Sequence, residues 1–203
     1  MLSFSASLTQ QHRALARGDK TLFGGAFPLP LFELRGKTLG LVGGNGEIGS
    51  RVSTLAQALG MKVLVYSRSS ATPLATLLSE SDFISLHCPL TPATKHLINA
   101  SALSGMKKSA YLINTARGAI VDEAALVAAL QAGRLAGAAL DVQDPEPPAA
   151  DSPLYTLDNV ILTPHIGWKR AETRQRLIDA VASNIAVWAA GKPVSVVTPP
   201  AGP

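Results

Sequence analysis

The stretch Leu39-Gly-Leu-Val-Gly-Gly-Asn-Gly-Glu-Ile-Gly49 leaves the chain few folds to choose from. Leu39, Leu41 and Val42 read as the end of a buried strand. Gly44, Gly46 and Gly49 then spell G-x-G-x-x-G. A helix is expected at once, with Ile48, Val52, Leu55, Ala56 and Leu59 spaced as its apolar face. In a strand–turn–helix unit such glycines serve three ends: a tight turn, close approach of backbone to a pyrophosphate, and close packing of helix on strand. The unpaired N–H groups at the helix start hold the phosphate charge. Residues 44–49, including Asn45, Glu47 and Ile48, are therefore a candidate nucleotide cradle. Outside that setting the same letters would describe a turn that binds nothing.

The remaining pattern supplies the setting. Residues 61–66, 82–86, 110–114, 137–141 and 160–163 read as further short strands, apolar on both faces. Residues 74–78 read as a helical turn between strands, and Asp122 is placed to cap a helix running to about Gln131. Strands of this kind separated by helices predict an α/β fold: a doubly wound parallel sheet in three α/β/α layers, of Rossmann type. A long helix is expected over about 170–190, with Leu177, Val181, Ile185 and Trp188 along one side. Residues 1–17 read as one short helix, with Leu8, His12, Leu15 and Ala16 on one side. Residues 18–35 are loop-like, broken by Gly18, Gly24, Gly25, Pro28 and Pro30, and the tail Thr198-Pro-Pro-Ala-Gly-Pro203 reads as disordered. The expected organisation is one NAD(P)-binding domain over 1–203: an arm (1–35), a core (about 36–168), and a helix with tail (169–203).

Composition narrows the function classes. With 203 residues, 47% hydrophobic and 16% charged, the chain can bury a real core, and wholesale disorder is excluded. The net charge of +4 is scattered, without the basic and aromatic interleaving of a nucleic-acid surface. Cys88 is the only cysteine, so no intrachain disulfide can form, which fits a reducing compartment. No apolar run spans a bilayer, and the first residues lack the pattern of a secretory signal. A cytoplasmic protein with no membrane, nucleic-acid or metal partner is expected.

Two sets of residues carry chemistry. An acid about twenty positions past the glycines normally takes the ribose hydroxyls of NAD. Here the second strand ends in Val65-Tyr66-Ser67-Arg68-Ser69. Ser67 stands where the acid would be, and Arg68 could pair with a 2′-phosphate, which favours NADP(H) over NAD. The second set lies where parallel strands end. It comprises His87-Cys-Pro89, Thr94, Asn114-Thr-Ala-Arg-Gly118, Asp141, Glu146 and Thr163-Pro-His-Ile-Gly167. Hydride transfer to a 2-keto acid needs a cation for the carboxylate and carbonyl, a proton donor at the carbonyl oxygen, and a group that tunes the donor. Arg117, His165 and Glu146 fit these roles in that order.

Taken together, these pieces resemble the D-isomer-specific 2-hydroxyacid dehydrogenases, especially the glyoxylate/hydroxypyruvate reductase branch, from about residue 30 to 196. The matching segments include Leu34-Arg-Gly-Lys-Thr-Leu-Gly40, the glycine loop, Ser85-Leu-His-Cys-Pro-Leu-Thr-Pro92 and Met106-Lys-Lys. Asn114-Thr-Ala-Arg-Gly118, Ala139-Leu-Asp141, Glu146-Pro147 and Thr163-Pro-His-Ile-Gly-Trp168 follow. The resemblance implies that Arg117 binds substrate, His165 is the acid/base, Glu146 is its carboxylate partner, and Asp141 holds the nicotinamide carboxamide. It implies that the 44–49 loop, Cys88, Pro89, Thr94, Thr115, Ala116 and Arg117 line the cofactor, with His165 and Gly167 beside it. A homodimer acting on a small 2-keto acid is the implied assembly; a non-catalytic NAD(P)-binding module, as in the dehydrogenase-like corepressors, is the alternative.

The chain departs from the family twice. Its loop has one residue more between Val42 and Gly46, so a bulge is expected there. The sequence that builds the family's separate substrate domain is almost wholly missing, while residues 1–17 resemble the helix that leads into the cofactor domain and helps form the dimer. Catalytic residues facing solvent are then expected, with cofactor binding better preserved than turnover. An exposed apolar strip along Leu177, Val181 and Trp188 should self-associate or be covered by the N-terminal arm.

Overall fold

A computed structural model describes residues 1–24 and 29–197. Gly25, Pro28 and the expected disordered tail 198–203 lie outside the described residues. Met1–Pro164 and His165–Pro203 form two compact units.

In the first unit, short apolar runs become strands and the periodic segments become helices. In order these are α1 (Leu2–Ser5), α2 (Leu8–Ala16), β1 (Thr38–Val42), α3 (Glu47–Ala58), β2 (Lys62–Tyr66), α4 (Leu74–Glu80) and β3 (Phe83–Leu86). Next come α5 (Ala100–Ser104), β4 (Tyr111–Asn114), α6 (Glu123–Gln131), β5 (Gly137–Leu140) and β6 (Val160–Leu162). The six strands form one all-parallel sheet in the order β2-β1-β3-β4-β5-β6. This is the expected Rossmann-type doubly wound sheet. The strand order reverses between β1 and β3, the switch point at which such sheets open a crevice at their carboxyl edge.

Alternate residues of the strands feed two cores. Leu39, Leu41, Phe83 and Tyr111 join Ala56 of α3 and Phe4 of α1. Ile84, Leu86, Leu112 and Leu140 join Leu77 of α4, Leu103 of α5 and Leu126 of α6. Asp122 caps α6 as expected, its carboxylate accepting the Ala125 N–H at 3.1 Å, worth about 1 kcal/mol. Across the sheet's amino edge, Asp82 accepts the Thr38 N–H at 2.8 Å and pairs with Lys107 at 3.0 Å. Burial alone would raise the Asp82 carboxyl, but these partners outweigh it and hold it below the ordinary aspartate range.

Two details differ from expectation. Residues 1–17 are not one helix. Ser7 adopts φ +46° between α1 and α2, and its hydroxyl donates to the Pro30 carbonyl at 2.6 Å. The arm is anchored by Phe4, 1% exposed and stacked on Tyr111 at 4.4 Å, while Leu8 and Leu15 are exposed. The apolar face of α3 is also turned. Gly49 and Ala56 are buried and Val52 half-buried, but Ile48 and Leu55 are 66% and 65% exposed and Leu59 is exposed too. At its start the helix seats on Gly49, where a Cβ would stand 2.6 Å from the Gly44 Cα, and further along on Ala56, which packs in the core with Leu39, Leu41 and Met61.

The second unit contains α7 (Ala171–Ala189), the expected long helix. Leu177, Ile178, Val181, Ile185 and Trp188 are all exposed, as expected for the strip. No helix among the described residues is long and apolar enough to cross a membrane.

Candidate cofactor site and catalytic edge

The exit of β1 is built by backbone approach. Gly43, φ +82°, donates its N–H to the Tyr66 carbonyl at 2.8 Å, while the His87 N–H bonds the Val42 carbonyl at 2.8 Å. A Cβ on Gly43 would stand 2.7 Å from the Cys88 nitrogen. The tight turn therefore belongs to Gly43, which the G-x-G-x-x-G reading passed over because the loop is one residue longer. The expected bulge is a closed turn, with the Gly46 N–H on the Gly43 carbonyl at 3.2 Å. Gly44 and Gly49 meet: a Cβ on Gly49 would stand 2.6 Å from the Gly44 Cα. Gly46 is different, since a Cβ there would meet only the Gly43 oxygen at an ordinary 3.5 Å. Its missing side chain leaves space on the solvent side, where α3 begins without a side-chain cap. That is the form of an anion-binding helix start. Glu47 and Ile48 open this helix, both exposed, with Glu47 4.0 Å from Arg51.

Two cavities follow the carboxyl edge. The first, about 320 Å³, is lined by Gly43, Asn45, Gly46, Tyr66, Ser67, Arg68, His87, Cys88, Pro89 and Thr94, among others. No carboxylate lines it. The second, about 440 Å³, is lined by Ile48, Thr115, Ala116 and Arg117 and shares His87, Cys88 and Pro89 with the first. Burial lowers the His87 imidazole below its ordinary value and pushes the Cys88 thiol up. His87 also lies 2.9 Å from the Ser85 hydroxyl through Nε2. Tyr66 was not among the expected site residues, and His87 was named in the strand-end set without a role. Each stands at a strand's carboxyl end, and that position was the available signal.

Arg117 sits on a turn closed by one side chain. Buried Asn114 donates to the Arg117 carbonyl at 2.9 Å and accepts the Ala116 N–H at 3.1 Å. Next to it, a Cβ on Gly118 would fall 1.8 Å from the Gln143 carbonyl oxygen. The Arg117 turn is thus pressed against the segment after β5. Asp141 is buried there and accepts the Thr163 hydroxyl at 2.5 Å. Glu146 lines a third cavity of about 480 Å³ with Gln143 and Thr163, separate from that of Arg117. His165 opens the second unit with φ +51°, and Gly167 follows it.

Residues 1–167 match the family described as "D-isomer specific 2-hydroxyacid dehydrogenase, NAD binding domain". The chain belongs to this family. Among related dehydrogenases, it is 46% identical over 176 residues to the glycerate dehydrogenase of Methylorubrum extorquens, covering 84% of this chain and 56% of that one. It is 47% identical over 171 residues to the glyoxylate reductase of Aeropyrum pernix, covering 79% and 51%. A D-lactate dehydrogenase from Aquifex aeolicus, solved with NAD and lactic acid, superposes with a TM-score of 0.84 at 35% identity, covering 94% and 64%. The chain spans about half the length of the curated dehydrogenases it matches.

Proposed function

We propose that the chain is the cofactor-binding part of an oxidoreductase that transfers a hydride between NAD(P)H and a small 2-keto acid of the glyoxylate or hydroxypyruvate kind. One observation carries the reading: the cavity at the switch point and the cavity lined by Arg117 share His87, Cys88 and Pro89 as a common wall. The residues fit a dinucleotide. Gly46 leaves room where a Cβ would intrude on a pyrophosphate, and the uncapped start of α3 suits phosphate charge. The names of the related dehydrogenases, acting on glycerate and glyoxylate, support the substrate class.

When bound, the nicotinamide supplies the hydride. The protein's part is orientation and proton transfer. Asn45, Gly46, Ser67, Arg68, Pro89 and Thr94 hold the nucleotide, and Asp141 holds the carboxamide. Arg117 takes the substrate carboxylate through a charge-assisted bidentate contact. His165 gives the proton to the carbonyl oxygen, and Glu146 tunes its basicity. Ser67 and Arg68, with no carboxylate lining the cavity, favour NADP(H). Residues 1–203 act as one NAD(P)-binding module. The exposed apolar strip of α7 supports a homodimer, and the unpaired thiol of Cys88 supports a cytoplasmic setting.

The test pairs titration of NADPH and NADH, followed by nicotinamide fluorescence, with NADPH consumption on glyoxylate or hydroxypyruvate. Binding in the micromolar range is expected, together with a loss of turnover of roughly a hundredfold or more in His165→Ala. A protein that binds neither cofactor overturns the reading, and unchanged turnover in His165→Ala removes His165 from the chemistry.

A further inference from the structure

The extra loop position has a consequence at the far end of the nucleotide. Asn45 reaches across to the end of β2, where its Nδ2 donates to the Ser67 hydroxyl oxygen at 3.0 Å. That oxygen also receives the Ser69 N–H at 3.4 Å. Both of its lone pairs are then engaged, so the Ser67 hydroxyl has only its proton to offer, and the Ser69 hydroxyl oxygen, 3.3 Å away, holds that proton only by a long bond that a stronger acceptor displaces. The neighbouring Ser70 hydroxyl is spent locally: it accepts the Ser67 N–H at 2.9 Å and donates to the Ser67 carbonyl at 3.1 Å. With the Arg68 guanidinium beside them, the groups at this mouth offer protons and positive charge but no charged acceptor.

A ribose diol and a ribose phosphate ask opposite things of such a site. The two hydroxyls of a diol are best held by an ionised carboxylate that accepts both protons. A phosphate can only accept, and it gains most from hydroxyl, amide and guanidinium donors. We propose that Asn45 is a specificity-determining residue: by engaging the Ser67 oxygen it locks Ser67 as a donor and selects nucleotides that carry a 2′-phosphate on the adenosine ribose. This rests on the reading of the site as an NADP(H) site. Arg68 supplies charge there, whereas Asn45 sets which way a neutral hydroxyl faces.

Calorimetric titration of the whole chain with NADPH, NADH, adenosine 2′,5′-bisphosphate and 5′-AMP tests this without any turnover assay. Asn45→Ala should weaken NADPH and the bisphosphate about tenfold more than it weakens NADH and 5′-AMP, one charge-assisted hydrogen bond's worth of difference. Asn45→Asp should reverse the preference, because its carboxylate accepts from a diol and repels a phosphate. Arg68→Ala separates the two claims. If it loses NADPH selectively while Asn45→Ala keeps the wild-type ratio, the NADP(H) reading stands and the role of Asn45 is wrong. If the wild type itself prefers NADH, the NADP(H) reading is what fails. Equal loss of both cofactors in Asn45→Ala would make Asn45 a loop-building residue and overturn the proposal.

Discussion

The turns after β1 and β4 leave the same edge of the same sheet, yet they are built by opposite means. The first is a wall of backbone: Gly43 lies against the Cys88 nitrogen, and Gly44 and Gly49 lie against each other. Polar side chains enter it only at its rim, through Asn45 and Ser67. The second hangs on one buried side chain, Asn114, which closes the turn that carries Arg117. A backbone cradle suits a pyrophosphate, whose charge is constant through a reaction. A side-chain-closed turn suits a residue that must be aimed at a reacting group. Binding and aiming should therefore fail separately.

The largest expected effect tests the one place where the second turn also depends on backbone. Gly118→Ala would drive a Cβ to within 1.8 Å of the Gln143 carbonyl oxygen, a rigid neighbour that cannot give way. Destabilisation of about 4 kcal/mol or more is expected, in the range reserved for a forced backbone shift. Urea unfolding measures it, and a loss below about 1 kcal/mol would show that the 143–144 segment is freer than its packing implies.

Asn114→Ala comes next and sharpens the contrast. It removes two hydrogen bonds from a buried site, at a cost of about 2 kcal/mol. Cofactor affinity should fall much less than substrate turnover, because the β1 turn shares no bond with Asn114 whereas the turn that carries Arg117 is closed by it. Equal losses in cofactor affinity and turnover would erase the distinction between the two turns.

How much of this was legible in the sequence follows the same division. The strands were legible because each is a short apolar run whose burial on both faces needs no partner to be named. The cap at Asp122 was legible because it acts over three residues. Gly43 was not, because the reason for it is the Cys88 backbone, distant in sequence and adjacent only once β1 and β3 pair. The seating of α3 was misread for a related reason. Its apolar spacing points to Ile48 and Leu55, but the close contact of Gly49 with Gly44 decides the helix's rotation. Asn114 was visible as part of a motif but not as the brace of its turn. The break at Ser7 depends on the Pro30 carbonyl, which no helical periodicity encodes.

The smallest effect concerns the residue shared by both regions. His87 lines both cavities, and burial lowers its imidazole below the ordinary histidine value. Above about pH 6.5, the value for an unstructured histidine, folded and unfolded chains both hold it neutral and it adds no pH dependence. As pH falls below that point the unfolded chain takes up a proton that the folded one resists, so stability declines until the folded imidazole also titrates. His87→Gln keeps a polar partner within reach of Ser85 and removes the titration. Its urea midpoint should fall less than the wild type's between pH 7.5 and pH 5.5. Asp82 does not interfere in that window, because its carboxyl is held below the ordinary aspartate range and its contribution is lost only in stronger acid. Parallel curves for the two proteins would mean that water reaches His87 freely, and that the joint between the glycine turn and the Arg117 turn is wet.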